Sequence, residues 1–108
     1  MKTRTFLRLG LAIVIMSASF NALGKPPKVT FAGGDGSSLE KAIIVKGATE
    51  QTGVDAEYAY LAQHYPGYKL GRQSLQHVKG RSYDVLDFTT ADGKKMTIFF
   101  DITEFFGK

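Results

Sequence analysis

Residues 82–103, SYDVLDFTTADGKKMTIFFDIT, decide the fold that this sequence predicts. Two runs rich in aromatic and β-branched residues flank Asp92-Gly93, a dipeptide typical of tight turns. The pattern predicts a β-hairpin, and the apolar residues on either side of the turn determine its register.

Two registers of this hairpin have to be compared. A two- or four-residue loop would pair Asp84 with Asp101 and Asp87 with Ile98, which sets carboxylates against each other and against an apolar neighbour. A three-residue loop with Gly93 in a left-handed bulge shifts the pairing by one residue. The apolar side chains then gather on one face, which carries Leu86, Phe88, Met96, Ile98 and Phe100. We predict the bulged turn, since register follows the pairing that collects the apolar set.

The strands of this hairpin are predicted at residues 82–89 and 95–103, and a third strand at residues 68–78 precedes them. Lys79-Gly80 supplies the turn between the third strand and the hairpin. Residues 42–46, AIIVK, form an unbroken apolar run, which indicates a strand buried on both faces and central in the sheet.

One helix is predicted over residues 54–65, where apolar and aromatic residues recur at helical spacing. The stripe consists of Val54, Tyr58, Leu61, Ala62 and Tyr65. Thr52 or Asp55 can cap its start. Pro66-Gly67 ends it, because proline cannot continue the hydrogen-bond ladder.

These elements predict an α+β fold of two layers, with one helix packed on a four-stranded, largely antiparallel sheet. The helix stripe should cover Leu86, Phe88, Ile98 and Phe100. Residues 25–38, rich in Pro, Gly and Ser, are expected to form a flexible leader, loop or loosely docked strand near Phe31. Residues 39–108 should form a single small domain, with the phenylalanines of EFFGK at 104–108 packed back on its body.

The first 24 residues have the three parts of a cleavable secretory signal. Three cations precede the apolar run LGLAIVIM at 9–16, and Ala22 and Gly24 fit the small-residue positions before a cleavage site. The apolar run is far shorter than the roughly 20 residues that span a bilayer. The sequence therefore predicts cleavage after Gly24 and a periplasmic or secreted mature chain without a membrane span.

Cleavage changes what the net charge means. The sequence has 14 Lys and Arg against 10 Asp and Glu, but three of the cations and none of the acids precede residue 25. The remainder has 11 against 10, a net charge of +1, so nucleic-acid binding is not expected. The absence of cysteine excludes disulfides and thiol catalysis. Stability then depends on the core alone, or on a partner or dimer.

No catalytic, cofactor or metal site is expected from the motifs. GGDGSS at residues 33–38 lacks the ending of a phosphate-binding loop. His64 and His77 stand alone, without the spacing of a zinc site. Asp84 and Asp101 could form an acid–base pair only in the rejected register. A small hydrolase that uses carboxylates and a histidine remains an alternative, favoured if either histidine lay close to Asp84 or Asp101.

Several short motifs of this sequence resemble those of a set of small exported bacterial proteins. They are GGDGSS…EKAI from Gly33, AEY…YPG from Ala56, Tyr83-Asp84, DGK, and FFDI…FFGK near residue 108. The resemblance spans nearly the whole predicted mature chain. It implies bacterial export and a compact α+β domain, and it implies no activity or catalytic residue. The strand-rich second half also resembles small periplasmic inhibitor modules, at the level of fold alone.

Size, predicted export and the lack of a catalytic set favour a non-catalytic binding module of the bacterial envelope. Its partner would be another exported protein, in an inhibitor or immunity-type complex; a self-associating envelope protein is a further alternative. The predicted register sets aromatic and charged residues on the face opposite the helix, a combination typical of a partner site. The candidate partner residues are Tyr83, Phe99, Val85, Arg72 and Asp87. The leader or residues 104–108 would cover this face if it is structural.

Overall fold

The computed structural model describes residues 28–108, so the predicted signal peptide and its cleavage site lie outside the described residues. Within them the chain forms an α+β fold with one helix and a five-stranded mixed sheet. The elements in chain order are β1 (Thr30–Gly33), β2 (Ile43–Lys46), α1 (Glu50–His64), β3 (Lys69–Val78), β4 (Arg81–Thr89) and β5 (Lys95–Asp101).

The strands are arranged in the order β1-β2-β5-β4-β3. Strand β2 runs parallel to β5, and the other neighbours are antiparallel. The prediction of four strands was therefore one strand short. Part of the predicted leader forms β1, which pairs with β2 from Thr30 to Gly33. All four residues of β1 are exposed, so no apolar alternation marked it as a strand.

The β4–β5 register is the one that the bulged turn predicts. Leu86 pairs with Ile98, and Gly93 has a φ of 92°, in the left-handed region that glycine adopts readily. The Thr90 N–H donates to the carbonyl oxygen of Lys94 at 2.8 Å, which closes a three-residue loop. The apolar set of the hairpin is thereby directed toward the helix.

The β3–β4 hairpin has the predicted two-residue turn. Lys79 and Gly80 both have positive φ, 52° and 78°, as a type I′ turn requires. The pairing runs without interruption from Val78 back to Gln73 and then shifts between Gln73 and Leu70. This irregularity is a β-bulge in the first half of β3.

Helix α1 begins at Glu50, earlier than predicted, because two threonines cap it reciprocally. The Thr49 hydroxyl accepts from the Thr52 N–H at 3.2 Å, and the Thr52 hydroxyl accepts from the Thr49 N–H at 2.8 Å. The prediction of Thr52 or Asp55 as the capping residue was wrong. The buried residues of the helix are Gly53, Glu57 and Leu61, so of the predicted stripe only Leu61 is fully buried.

The main core lies between α1 and the sheet. It consists of Ile43, Val45, Leu61, Leu86, Phe88, Ile98, Phe100, Ile102 and Phe105. All four strand residues that were expected beneath the helix belong to it. Phe105 also confirms that residues 104–108 pack back on the body, since it is 4% exposed. Its ring lies so close to Gly53 that a Cβ on that glycine would have no room.

Candidate functional site

The aromatic part of the predicted partner patch is largely covered. Tyr83 and Val85 lie on the face opposite α1, where they are 9% and 7% exposed. They form a small cluster with Ala42, and Leu39 and the half-buried Phe99 pack against it. The loop between β1 and β2 supplies part of this cover. Tyr83 and Val85 are thus not free anchors in this structure, and binding at this face stays a prediction.

The charged part of the patch is exposed. The bulge in β3 falls at Gly71 and Arg72, opposite Asp87. Among residues 28–108, Arg72 and Asp87 do not form an ion pair. Asp87 instead accepts a hydrogen bond from the Thr97 hydroxyl at 2.7 Å. Arg72, Asp87 and Thr97, with Lys95, line a shallow depression of about 460 Å³.

Asp101 is a buried carboxylate with a complete set of partners. The Arg81 Nε–H donates to its Oδ2 at 2.6 Å. The Thr103 hydroxyl and backbone N–H donate to its Oδ1 at 2.6 and 3.0 Å. Burial alone would raise the pKa of Asp101, but these donors hold it below its usual range. Asp101 therefore stays charged at neutral pH as part of a structural ion pair.

Asp84 lies on the other face of the sheet, beneath the helix, and is 6% exposed. The Gln73 side-chain amide donates to both carboxylate oxygens at 3.2 Å. The Tyr58 hydroxyl donates to Gln73 Oε1 at 2.7 Å. A polar chain thus runs from the helix, through a residue of the edge strand β3, to a buried carboxylate of β4.

Glu57 lies beside this chain and has no exposed surface. Among the described residues, neither of its carboxyl oxygens has a hydrogen-bond partner. Burial, together with the neighbouring Asp84, raises the pKa of Glu57 to about 10. At neutral pH Glu57 is therefore protonated and can donate that proton toward Asp84. The full burial of Glu57 makes it a part of the core and keeps a substrate from reaching it.

Sequence reasoning did not single out Glu57. The usable signal was the spacing of Gly53, Glu57 and Leu61, four residues apart on one helix face. A glycine and an acid do not register as an apolar stripe, and acids are almost never fully buried unless paired. The predicted stripe, set by tyrosines and alanine, therefore pointed the helix in a slightly different direction.

Neither histidine reaches the buried acids. His64 stacks on Tyr60 with ring centroids 4.0 Å apart. His77 Nδ1 lies 2.9 Å from the Ser82 hydroxyl, and its ring faces Phe106 at 5.5 Å. Within residues 28–108, no three His, Asp or Glu side chains come together in a group that could hold a metal ion.

The most open feature of the fold is the edge strand β3. It has ten residues at one edge of the sheet, and most of them are exposed. Leu70 and Leu75 are 41% and 43% exposed, although both are large and apolar. The opposite edge, β1, has only four residues.

The type I′ turn shows which backbone groups of β3 are free. Its closing pair, Val78 and Arg81, exchanges both backbone hydrogen bonds, and the direction alternates along the strand. Val78, Gln76 and Ser74 therefore bond to β4. The N–H and C=O groups of Gln73, Leu75 and His77 point away from the sheet, to the exposed side of the strand. This edge can accept a further strand.

Comparison with protein-family models, with curated proteins and with solved structures finds no match to this chain. In the part of the chain that is described, α1 has neither the length nor the apolar composition that a bilayer span needs.

Proposed function

We propose that this protein is a non-catalytic binding module of the bacterial envelope, which holds an extended segment of another exported protein against β3. The observation that carries the proposal is the open edge of that strand, where the backbone groups of Gln73, Leu75 and His77 pair with no other strand among residues 28–108. Addition of a strand to an exposed sheet edge is a recurring mode of peptide recognition.

Natural proteins usually protect such an edge with charges, prolines, bulges or a covering loop. In β3 the bulge and both cations of the strand, Lys69 and Arg72, fall in its first half. The second half, from Gln73 to Val78, pairs regularly with β4 and contains neither proline nor a Lys or Arg. An unprotected stretch of this length is suited to pairing with another strand.

The predicted export of the protein supports the proposal, because it defines the compartment in which a partner would be met. Residues 1–24 have the pattern of a secretory signal, so the partner would be periplasmic or extracellular. We expect the mature protein from its native host to begin at Lys25, within about two residues. N-terminal sequencing of the periplasmic fraction tests this, and an intact Met1 in washed membranes would contradict it.

Site-specific photo-crosslinking in the native host tests the binding site. A photoreactive phenylalanine derivative is placed at Leu75, at Phe99 of the covered outer patch, or at exposed Lys108 as the control. We expect Leu75 to give one discrete heavier adduct, which the control position does not give. An adduct from Phe99 alone would overturn the β3 site and restore the outer face as the partner surface. No discrete adduct from either position would contradict the binding function.

The mass of the crosslinked adduct also distinguishes self-association from binding of a separate partner. A mass of two copies of this chain, together with a dimer in sedimentation equilibrium of the purified protein, would contradict a separate partner. We expect a monomer in sedimentation and an adduct that contains a second protein.

A small hydrolase is the second candidate, and one contact favours it. His77 Nδ1 lies 2.9 Å from the Ser82 hydroxyl, within the range of a base and its nucleophile. The His77 ring, however, faces Phe106, and among the described residues it is not oriented by an acid. Hydrolysis of p-nitrophenyl acetate by the wild type and by Ser82→Ala decides between the two. A binding module gives equal rates, whereas a rate lost with Ser82 would establish the enzyme.

A further inference from the structure

We propose that the segment bound by β3 is acidic, an extended peptide in which carboxylates alternate with apolar residues. This inference rests on the proposed function, since it names the chemistry of the partner for the same edge. It is carried by the cations along β3 and its turn, which the binding proposal itself does not use.

The chain around β3 is cationic and free of acids. Residues 65–83 contain Lys69, Arg72, Lys79 and Arg81, and no Asp or Glu. Arg81 is bound to Asp101. Lys69, Arg72 and Lys79 are exposed, and within residues 28–108 they make no ion pair. Three cations that form no ion pair among the described residues thus lie along this edge, and Asp87 of β4 lies opposite one of them, Arg72.

The positions of these cations match the length of a bound strand. Lys69 begins β3, Arg72 lies at the bulge, and Lys79 follows the last residue of the strand. Ten residues in a strand span about 33 Å. A partner strand of about eight residues would therefore have a cation near each end and one between them.

The exposed leucines of β3 are the reason for the apolar residues in the proposed peptide. Leu75 pairs with Asp84 and Leu70 with Phe88, so both lie on the helix side of the sheet. A strand added to β3 alternates its side chains between the two faces. Apolar residues on its helix side would cover Leu70 and Leu75, and acids at the other positions could reach the cations.

A second copy of β3 fits this edge poorly. In an antiparallel pairing of two copies centred on Leu75, Lys79 of one copy would lie opposite Gly71 of the other and beside its Arg72. Cations brought this close repel each other, which destabilises a strand pair. An acidic strand removes this repulsion and brings carboxylates near Lys69, Arg72 and Lys79. It therefore fits the edge better than a second copy of β3.

Three matched peptides test the inference on the purified mature protein. Each has eight residues and blocked ends, with valine alternating with Glu, Gln or Lys. We expect the Glu peptide to bind at least about tenfold more tightly than the Gln peptide at low salt, and the Lys peptide not to bind. The preference should fall as salt is added, because these charges are exposed. In NMR the amides of Gln73, Leu75 and His77 should gain protection from exchange.

A charge-swap variant makes the test specific to these cations. The variant carries Lys69→Glu, Arg72→Glu and Lys79→Glu, and its control carries Lys46→Glu, Lys94→Glu and Lys108→Glu. All six positions are exposed, so both proteins should remain folded, and thermal melts check this. The swap at β3 should make the Lys peptide the preferred ligand, whereas the control should still prefer the Glu peptide.

The possible failures are distinguishable. If the Gln and Glu peptides protect the β3 amides equally, the edge binds strands but the acidic preference is wrong. If no peptide protects these amides, binding at the β3 edge is itself contradicted. A control variant that loses the Glu preference as fully as the swap variant would assign the effect to net charge, and would also overturn the inference.

Discussion

The two faces of the sheet neutralise buried carboxyl groups in different ways. On the helix face, Glu57 has no partner within the described residues and is neutral because it holds a proton. On the outer face, Asp101 keeps its charge because Arg81 and Thr103 donate to it. The comparison shows that a buried acid keeps its charge where donors reach it and takes up a proton where none do.

The cover differs in size and in access to water. The helix face has a core of nine buried residues closed by α1 and residues 104–108. The outer face has a cluster of three buried residues, closed in part by the loop before β2. Arg81 remains 49% exposed while its carboxylate partner is 5% exposed, so the guanidinium keeps much of its hydration. Beneath a closed apolar layer a partner cation would lose its hydration. An acid without a partner there takes up a proton instead.

Truncation of adjacent phenylalanines should give the largest difference between the faces. Phe100 is fully buried in the helix-face core, whereas Phe99 is half-buried on the outer face. Phe100→Ala should lower the free energy of unfolding by about 3–5 kcal/mol. Phe99→Ala should lower it by about 1 kcal/mol, because less apolar surface is lost from burial. Urea unfolding measures both; equal losses would show that the outer cluster is as essential as the core.

Protonation of Glu57 should make stability depend on pH. The pKa is raised from 4.5 to about 10 on folding, so stability from this group is fully present below pH 4.5 and is lost as pH rises toward 10. The free energy of unfolding should fall by about 1.4 kcal/mol per pH unit across this window. Glu57→Gln should remove the slope and stabilise the protein by about 3 kcal/mol at pH 7.

The matched control is Asp55→Asn, which removes an exposed carboxylate from the same helix. It should leave the slope in place. Unfolding in urea at several pH values from 5 to 9 compares the three proteins. A slope that persists in Glu57→Gln would show that Glu57 is charged in the folded state, and the contrast between the two faces would be lost.

Replacement of Gly53 by alanine should reveal how tightly the helix face is closed. In an ordinary helix this change is favourable by about 1 kcal/mol. Here the Phe105 ring occupies the space that the new methyl group needs. Gly53→Ala should therefore destabilise the protein by about 1–3 kcal/mol through overpacking. Gly53→Ala in a Phe105→Leu background should be less harmful, and a stabilising Gly53→Ala in the wild type would show that residues 104–108 do not close the core.

The smallest expected effect concerns Arg81 on the outer face. Arg81→Met should raise the pKa of Asp101 toward its ordinary value, because the strongest donor is lost. The two Thr103 donors remain and continue to oppose the effect of burial, which raises the pKa. The stability that Asp101 contributes above pH 3.8 decreases accordingly. NMR titration of the Asp101 carboxyl measures the shift, with Arg72→Met as a control that should not move it.

The hairpin could be predicted from sequence because its two registers differ in what they bury. One register sets Asp87 against Ile98, and the other pairs Leu86 with Ile98, so a single criterion decides. The helix was placed less well. Its start depends on a reciprocal pair, Thr49 and Thr52, and its buried face includes an acid whose protonation depends on neighbours from another strand.

Strand β1 and the parallel pairing of β2 with β5 could not be predicted from local sequence patterns. Thr30–Gly33 is exposed throughout, so it is a strand only because β2 offers it partners. The pairing of Ile43 with Phe100 joins residues far apart in sequence, and neither run of residues indicates the other. The open edge of β3 could not be predicted for the same reason, because the edge strands are defined only by the order of all five strands.

The parallel contact between β2 and β5 also sets the order in which the sheet can form. Strand β2 lies between β1 and β5, so the N-terminal pair of strands joins the rest only when β5 is available. The two antiparallel hairpins of β3, β4 and β5 are local in sequence and can form first, whereas the long loop closure comes last. A nascent chain therefore lacks its complete sheet until residue 101 has been synthesised. For a protein that we propose is exported, the sheet cannot be completed until β5 has also crossed the membrane.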